Sequence, residues 1–267
     1  MTQISILGCG WLGLPLAKAL VQNRFNVKGS TTSIAKKSIL QSVGIEPFII
    51  QLEEEKISES VADFLANSQI LIVNIPPKLR GGSTENFVSK IATLVPFIEK
   101  STIEKVLFVS STSVYGENNE LVTEETPLNP DSEGGRQLAI VEKLLQKNTY
   151  FETTILRFGG LIGEDRNPVR FLSGRENIEN PDAPINLIHQ DDCIGIIEKI
   201  IALNSWKETY NAVAPFHPTR KEYYTQKAAD LNLALPKFAA LNTIVGKTIL
   251  SEKLLQFLQY SFIKPML

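Results

Sequence analysis

A short apolar run, Ile4-Ser5-Ile6-Leu7, passes directly into Gly8-Cys9-Gly10-Trp11-Leu12-Gly13 and then into a helical pattern from Leu14 to Leu20. Strand, glycine turn and helix in this order open a βαβ unit of the kind that holds a dinucleotide. Gly8 permits the tight turn out of the strand. Gly10 lets the main chain approach a pyrophosphate with no Cβ in the way, and Gly13 allows the helix to pack close to the sheet. The diphosphate is then expected on free N–H groups at the positive helix end, within Gly8, Gly10, Trp11, Leu12 and Gly13. The competing reading is a glycine-rich turn in an unrelated α/β protein.

Apolar runs of strand length alternate with helix-period segments through the first two thirds of the chain, which predicts a parallel sheet covered on both faces. Strands are expected at 4–7, 26–29, 47–51, 70–74, 106–110 and 154–157, with helices at 12–23, 33–43, 58–67, 84–99 and 133–147. That is an α/β fold, a Rossmann doubly wound parallel sheet. Beyond about residue 160 the rhythm loosens, with loops at 163–168 and 173–184 and helices near 191–203, 219–231 and 251–260. The expected division is an NAD(P)-binding core over 1–160 and a region over 161–267 that completes the sheet and forms a small substrate-binding cap, the two making one compact unit.

The totals bound the function classes. With 267 residues, 43% apolar and 21% charged, the chain can bury a full core. Twenty-seven basic against 29 acidic residues, with no block of like charge, favour neither nucleic acid nor an anionic membrane. No apolar run approaches the roughly 18 residues that span a bilayer, so a cytoplasmic protein is expected. Two cysteines, Cys9 and Cys193, and two histidines, His189 and His217, predict neither a disulfide frame nor a metal site. Cys9 is read as a small residue filling the glycine turn.

The choice of dinucleotide turns on the end of the second strand. A unit that holds NAD places a carboxylate there for the adenine ribose hydroxyls. Here the segment reads Val27-Lys28-Gly29-Ser30-Thr31-Thr32-Ser33, with Lys36 and Lys37 following. The expected cofactor is therefore NAD(P) with a lean to NADP, Ser30, Thr31 and Thr32 lying at the ribose; the lysines alternatively form a solvated helix face. Gln51 and Leu52 are expected near the adenine. Asn74, Ile75 and Pro76 would pass beside the diphosphate and the nicotinamide ribose, and Ser110 would close the pocket.

Further segments add to the glycine turn. They are Val109-Ser110-Ser111-Thr112-Ser113-Val114-Tyr115-Gly116 with Glu125-Thr126-Pro127-Leu128-Asn129-Pro130, then Leu156-Arg157-Phe158-Gly159-Gly160-Leu161-Ile162-Gly163, then Asn186-Leu187-Ile188-His189-Gln190-Asp191-Asp192. In this order they resemble the NAD-dependent epimerase/dehydratase branch of the short-chain dehydrogenase/reductase superfamily, over most of the chain. The resemblance implies chemistry by a Ser, a Tyr and a Lys four residues beyond the Tyr, on sugar or sugar-nucleotide substrates. Ser111 matches the serine. Aligning Gly135-Arg136 and Glu142 on the family's pattern puts Gly134 at the tyrosine and Leu138 at the lysine. Neither can do that work, which is similar to atypical members of the superfamily: some are enzymes that use other residues, and others bind the dinucleotide as regulators.

Candidate chemistry then falls to few side chains. Tyr115 could present a phenol to a substrate beside Ser111 and Ser113, but would remain a poor base without a cation such as Lys78 or Arg157, its pKa lying near about 10; packing under the loop is the alternative. Arg157 could anchor a phosphate or carboxylate of the substrate, or pair with Glu142 or Asp192. His189 could touch substrate or be a hydrogen-bonded structural residue, with Asp191 capping the next helix. Thr219 is expected to cap the helix after it.

Overall fold

A computed structural model describes residues 1–77, 79, 85–117, 121–239 and 246–266. Lys78 and Thr84, both invoked from the sequence, lie outside the described residues. The chain runs β1 (Gln3–Leu7), α1 (Gly13–Gln22), β2 (Asn26–Thr31), α2 (Lys37–Ser42), β3 (Glu46–Ile49), α3 (Val61–Leu65), β4 (Ile70–Val73), α4 (Phe87–Glu99) and β5 (Lys105–Ser111). It continues through β6 (Leu121–Val122), α5 (Glu133–Gln146), β7 (Glu152–Phe158), β8 (Gly160–Ile162), β9 (Leu187–His189) and α6 (Gln190–Ala202). The last elements are β10 (Thr209–Ala212), α7 (Arg220–Asp230), β11 (Thr248–Ile249) and α8 (Glu252–Phe257).

Seven strands form one sheet in the order β10-β7-β5-β4-β1-β2-β3, all neighbours parallel. This is the doubly wound arrangement expected from the alternation of apolar runs and helices. The winding reverses between β1 and β4, and the crevice at such a reversal, beyond the strands' carboxyl ends, is where ligands bind in open α/β sheets. Leu7 is paired with Val73, so β1 and β4 end side by side, level with Phe108 of β5. β5 then runs on against β7 alone, pairing Ser110 with Arg157 and Ser111 with Phe158.

Both faces of the sheet are covered, which is why the central strands are apolar at consecutive positions. Ile4, Ile6 and Ile72 pack with Leu16, Leu20, Ile196 and Ile200 of α1 and α6. On the other face Leu7, Leu71, Val73 and Phe108 pack with Ile91, Leu94, Leu138 and Leu145 of α4 and α5. Each such side chain contributes about 1.5–3 kcal/mol by leaving water, so truncating Leu71 to Ala would cost about 2–5 kcal/mol.

The second half departs from the sequence reading in detail. β10 joins the main sheet beside β7, while β8 pairs with β9 and β6 with β11 as two small parallel ladders. Thr219 caps α7 as expected, in a full capping box with Glu222. α6 is capped by His189, not Asp191: the ring Nδ1 accepts from the Asp191 N–H at 3.2 Å. Asp192 is fully buried and holds the chain's end, accepting from Tyr260 Oη at 2.9 Å, Ile263 N at 2.6 Å and Lys264 N at 3.1 Å. No helix among the described residues is long and apolar enough to cross a membrane.

Candidate functional site

The turn after β1 is held from three sides. Gly8 adopts φ +105°, and a Cβ there would lie 2.4 Å from the Asn74 carbonyl oxygen, so only glycine fits. Gly8 N–H donates to Ser30 Oγ at 2.9 Å, and Cys9 N–H donates to Ser30 O at 2.8 Å. Asn74 Nδ2 donates to Gly8 O at 3.0 Å, and Gln190 Nε2 donates to Trp11 O at 2.7 Å. A Cβ on Gly13 would stand 2.1 Å from Gly8 O, which shows how closely α1 is seated on the turn.

Gly10 is different. Among the described residues nothing lies within 4 Å of a Cβ built on it, and no hydrogen-bond acceptor takes the N–H of Trp11 or Leu12. The Leu12 cap of α1 has no side-chain partner either. Free donors at the start of a ten-residue helix, where the macrodipole is positive, suit a diphosphate. The residues present therefore fit a dinucleotide. Cys9 is buried, with its thiol pushed up from 9.0 to about 12 by that burial, so it remains protonated and fills the turn as expected.

Around this turn the predicted contacts divide. Thr32, Lys36 and Lys37 are exposed beyond β2, and no carboxylate stands there. Thr31 is buried, its Oγ1 accepting from Ser33 N–H at 3.1 Å. Ser30, expected at the ribose, is buried with its Oγ accepting from the Gly8 N–H of the glycine turn, and the Leu12 side chain belongs to the core. Gln51 is exposed, with its N–H donating to Ser58 Oγ at 2.8 Å, and Leu52 and Ile75 are half-buried against the second core. Pro76 is exposed.

The carboxyl end of β5 carries a buried polar network. Ser110 Oγ donates to Glu142 Oε1 at 2.6 Å, and Arg157 Nη2 donates to Glu142 Oε2 at 2.6 Å, with Arg157 Nε 3.1 and 3.2 Å from the two carboxylate oxygens. Arg157 Nη1 donates to Tyr115 Oη, which donates to Asn211 Oδ1 at 2.8 Å. The guanidinium also lies 5.0 Å from the Tyr115 ring centroid. Lys247 Nζ donates to Tyr115 O at 2.7 Å and is 2.9 Å from Glu117 Oε1. Asn211 Nδ2 is buried without a partner among the described residues.

Three sequence expectations are corrected by this network. Tyr115 is 2% exposed, so its phenol does not face a substrate. Burial, working against the nearby Arg157 charge, raises its pKa. Arg157 is 5% exposed and paired with Glu142, the structural one of its two expected roles. Burial alone would lower the guanidinium pKa, but the hydrogen bonds and charge of Glu142 outweigh it and raise the value. Ser110 gives its hydroxyl to the same carboxylate and offers none to a cofactor. Asn211 and Lys247 were not singled out from the sequence, because each joins the network from more than 90 residues away in the chain.

Ser111 and Ser113 remain half-buried at this strand end, Ser111 Oγ accepting from Ser113 N–H at 3.2 Å. α5 packs tightly on this turn, since a Cβ on Gly135 would lie 2.2 Å from Ser113 O. At Gly134, by contrast, an added Cβ would meet nothing within 4 Å among the described residues, and Leu138 is buried in the core. Neither position supplies a proton or a cation. His189, half-buried, lines a cleft of about 290 Å³ together with Gly163 and Arg166. That cleft abuts the glycine turn through Trp11: Trp11 Nε1 donates to Asp165 Oδ1 at 2.7 Å, and the Arg166 guanidinium lies 5.1 Å from the Trp11 ring centroid.

Comparison with known proteins agrees with this architecture. Residues 84–185 match the NAD dependent epimerase/dehydratase family. The chain is 32% identical to Protein YeeZ of Escherichia coli (strain K12) over 267 residues, 99% of this chain and 97% of that protein. A structure from Methylobacillus flagellatus, described as a candidate NAD-dependent epimerase/dehydratase, is similar with a TM-score of 0.78 and 26% identity, covering 99% of this chain and 94% of that one. UDP-glucuronic acid 4-epimerase from Bacillus cereus, in complex with NAD, shares the fold with a TM-score of 0.79 at 18% identity, covering 98% of this chain and 91% of that one.

Proposed function

The chain belongs to the NAD-dependent epimerase/dehydratase family, and from that membership we propose an NAD(P)-dependent oxidoreductase or epimerase-like enzyme of the atypical short-chain dehydrogenase type. Its substrate is a small molecule with a hydroxyl or carbonyl group, such as a sugar or sugar derivative. One observation carries this reading: among the described residues, the face at Gly10 is open beside N–H groups of Trp11 and Leu12 that have no acceptor. When bound, the dinucleotide supplies hydride transfer at its nicotinamide ring.

The chain's own residues do the rest. Trp11 and Leu12 N–H groups grip the diphosphate at the positive end of α1. Thr32, Lys36 and Lys37 supply a neutral and positive rim at the end of β2, which supports NADP over NAD. Ser111 holds the reacting oxygen by a hydrogen bond. His189 exchanges its proton through Nε2, the nitrogen left over once Nδ1 has capped α6. Tyr115 acts behind them, steadying the loop that carries Ser111.

A second reading has a specific observation in its favour. Gly134 and the buried Leu138 leave the family's acid/base pair without a counterpart, which suits a protein that binds NAD(P) as a sensor and turns nothing over. A screen of hydroxyl and carbonyl compounds, read by nicotinamide absorbance, separates the two. The enzyme reading expects turnover that Ser111→Ala lowers about a hundredfold, the usual cost of a lost hydrogen-bond donor at a reacting oxygen, and that Tyr115→Phe leaves near wild type. Turnover unchanged in Ser111→Ala would remove the chemistry from this loop, and dinucleotide binding with no turnover across the screen would favour the sensor.

A further inference from the structure

The cleft beside Trp11 is lined by three cations that converge from separate segments: Arg166 after β8, Lys227 on α7 and Lys264 near the end of the chain. Each is placed by a local contact. Arg166 sits in a tight main-chain bridge with Gly163 and stacks on the Trp11 indole. The Lys227 ammonium lies 5.8 Å from the Tyr223 ring centroid, and the main chain of Lys264 is pinned by buried Asp192. Among the described residues none of the three is in an ion pair.

Among the described residues Glu164 is the one carboxylate in the lining; Asp165, which accepts from the neutral Trp11 Nε1, and Asp191, 3.3 Å from His189 Nδ1, flank it and keep their own charges. The lining itself carries three cations against one carboxylate, a wall that suits a phosphate dianion. Asn167 and His189 add polar atoms to the same wall. The cleft, about 290 Å³, has room for a phosphorylated molecule of monosaccharide size.

We propose that this cleft is a phosphoryl-binding subsite, with Arg166, Lys227 and Lys264 holding the phosphate monoester of a small substrate whose reacting carbon is presented toward the glycine turn. That the occupant is a substrate rests on the functional reading above; that the cleft binds a phosphoryl group does not. The alternative source of the same chemistry is the dinucleotide's own diphosphate, and the experiment separates them.

The full chain is titrated calorimetrically with inorganic phosphate at constant ionic strength, with and without saturating NADP, and dinucleotide affinity is measured separately. Phosphate is expected to bind in both conditions. A Lys227→Gln/Lys264→Gln variant, changed at exposed or half-exposed positions, is expected to weaken phosphate about tenfold or more while its NADP affinity stays near wild type. Wild-type protein with no saturable phosphate binding, or a double variant that binds phosphate as tightly as wild type, overturns the proposal. So does phosphate binding abolished by NADP, which would give the cations to the cofactor. Phosphate binding without any dinucleotide binding would keep the subsite and remove the functional reading instead.

Discussion

The turn after β1 and the loop after β5 stand two strands apart at the same edge of the sheet, yet they treat their polar groups in opposite ways. After β1 the main chain is fastened by Ser30, Asn74 and Gln190, and among the described residues two N–H groups are left without an acceptor beside a glycine with open space above it. After β5 the side chains of Ser110, Tyr115, Glu142 and Arg157 satisfy one another in the interior. The first arrangement is preorganised for a ligand from outside. The second is preorganised for the protein itself, and it takes out of reach Tyr115 and Arg157, two of the side chains the sequence offered for chemistry.

Removing the centre of the buried network should have the largest effect on stability. Glu142→Ala leaves Arg157 charged and unpaired in the interior, at a cost of about 3–5 kcal/mol, read from urea unfolding. A loss below about 1 kcal/mol, the value of an exposed pair, would show that the network is solvated and the contrast with β1 overstated.

Within the glycine turn itself, two alanines should part company. Gly13→Ala forces a Cβ against the Gly8 carbonyl and should cost about 2–3 kcal/mol. Gly10→Ala enters open space and should stay within about 0.5 kcal/mol of wild type. Equal melting temperatures for the two variants would contradict the asymmetry of the turn.

The smallest effect is one of pH. The buried Cys9 thiol ionises near 12 in the folded chain and near 9.0 when exposed. Below pH 9 both states keep the proton and stability is intact; as pH rises past 9 the unfolded state releases it and the folded state does not, so stability falls by up to about 1.4 kcal/mol per unit until the folded value is reached. Cys193, also pushed up by burial, acts in the same direction. Cys9→Ala should therefore flatten, without abolishing, the loss of stability between pH 9 and 10. An unchanged slope would place Cys9 in contact with solvent.

How much of this was legible from residues alone follows the range of the interactions. The glycine turn and the strands around Ile70 to Val73 and Val106 to Phe108 were readable because φ, close approach and two-sided burial act over a few neighbouring residues. The ladders β6–β11 and β8–β9 escaped because two or three residues carry no alternation. Arg157 could be narrowed to two partners but not to Glu142, since the choice is made by packing of α5 on β7. His189 caps α6 in place of Asp191 because the helix already begins at Gln190, which puts Asp191 inside the first turn with its own N–H donating to the His189 ring. The cations of the cleft gave no local signal, because Arg166 and Lys264 are far apart in the chain and are brought together by buried Asp192 and the stacked Trp11.

The central claim is that the free N–H groups beside Gly10 hold a dinucleotide diphosphate, and calorimetric titration with NADP and NAD of wild type and Gly10→Val tests it most directly. The expected result is saturable binding to wild type that the valine abolishes while the melting temperature stays close to wild type. A Gly10→Val protein that binds either dinucleotide as tightly as wild type, or a folded wild type that binds neither, would contradict it.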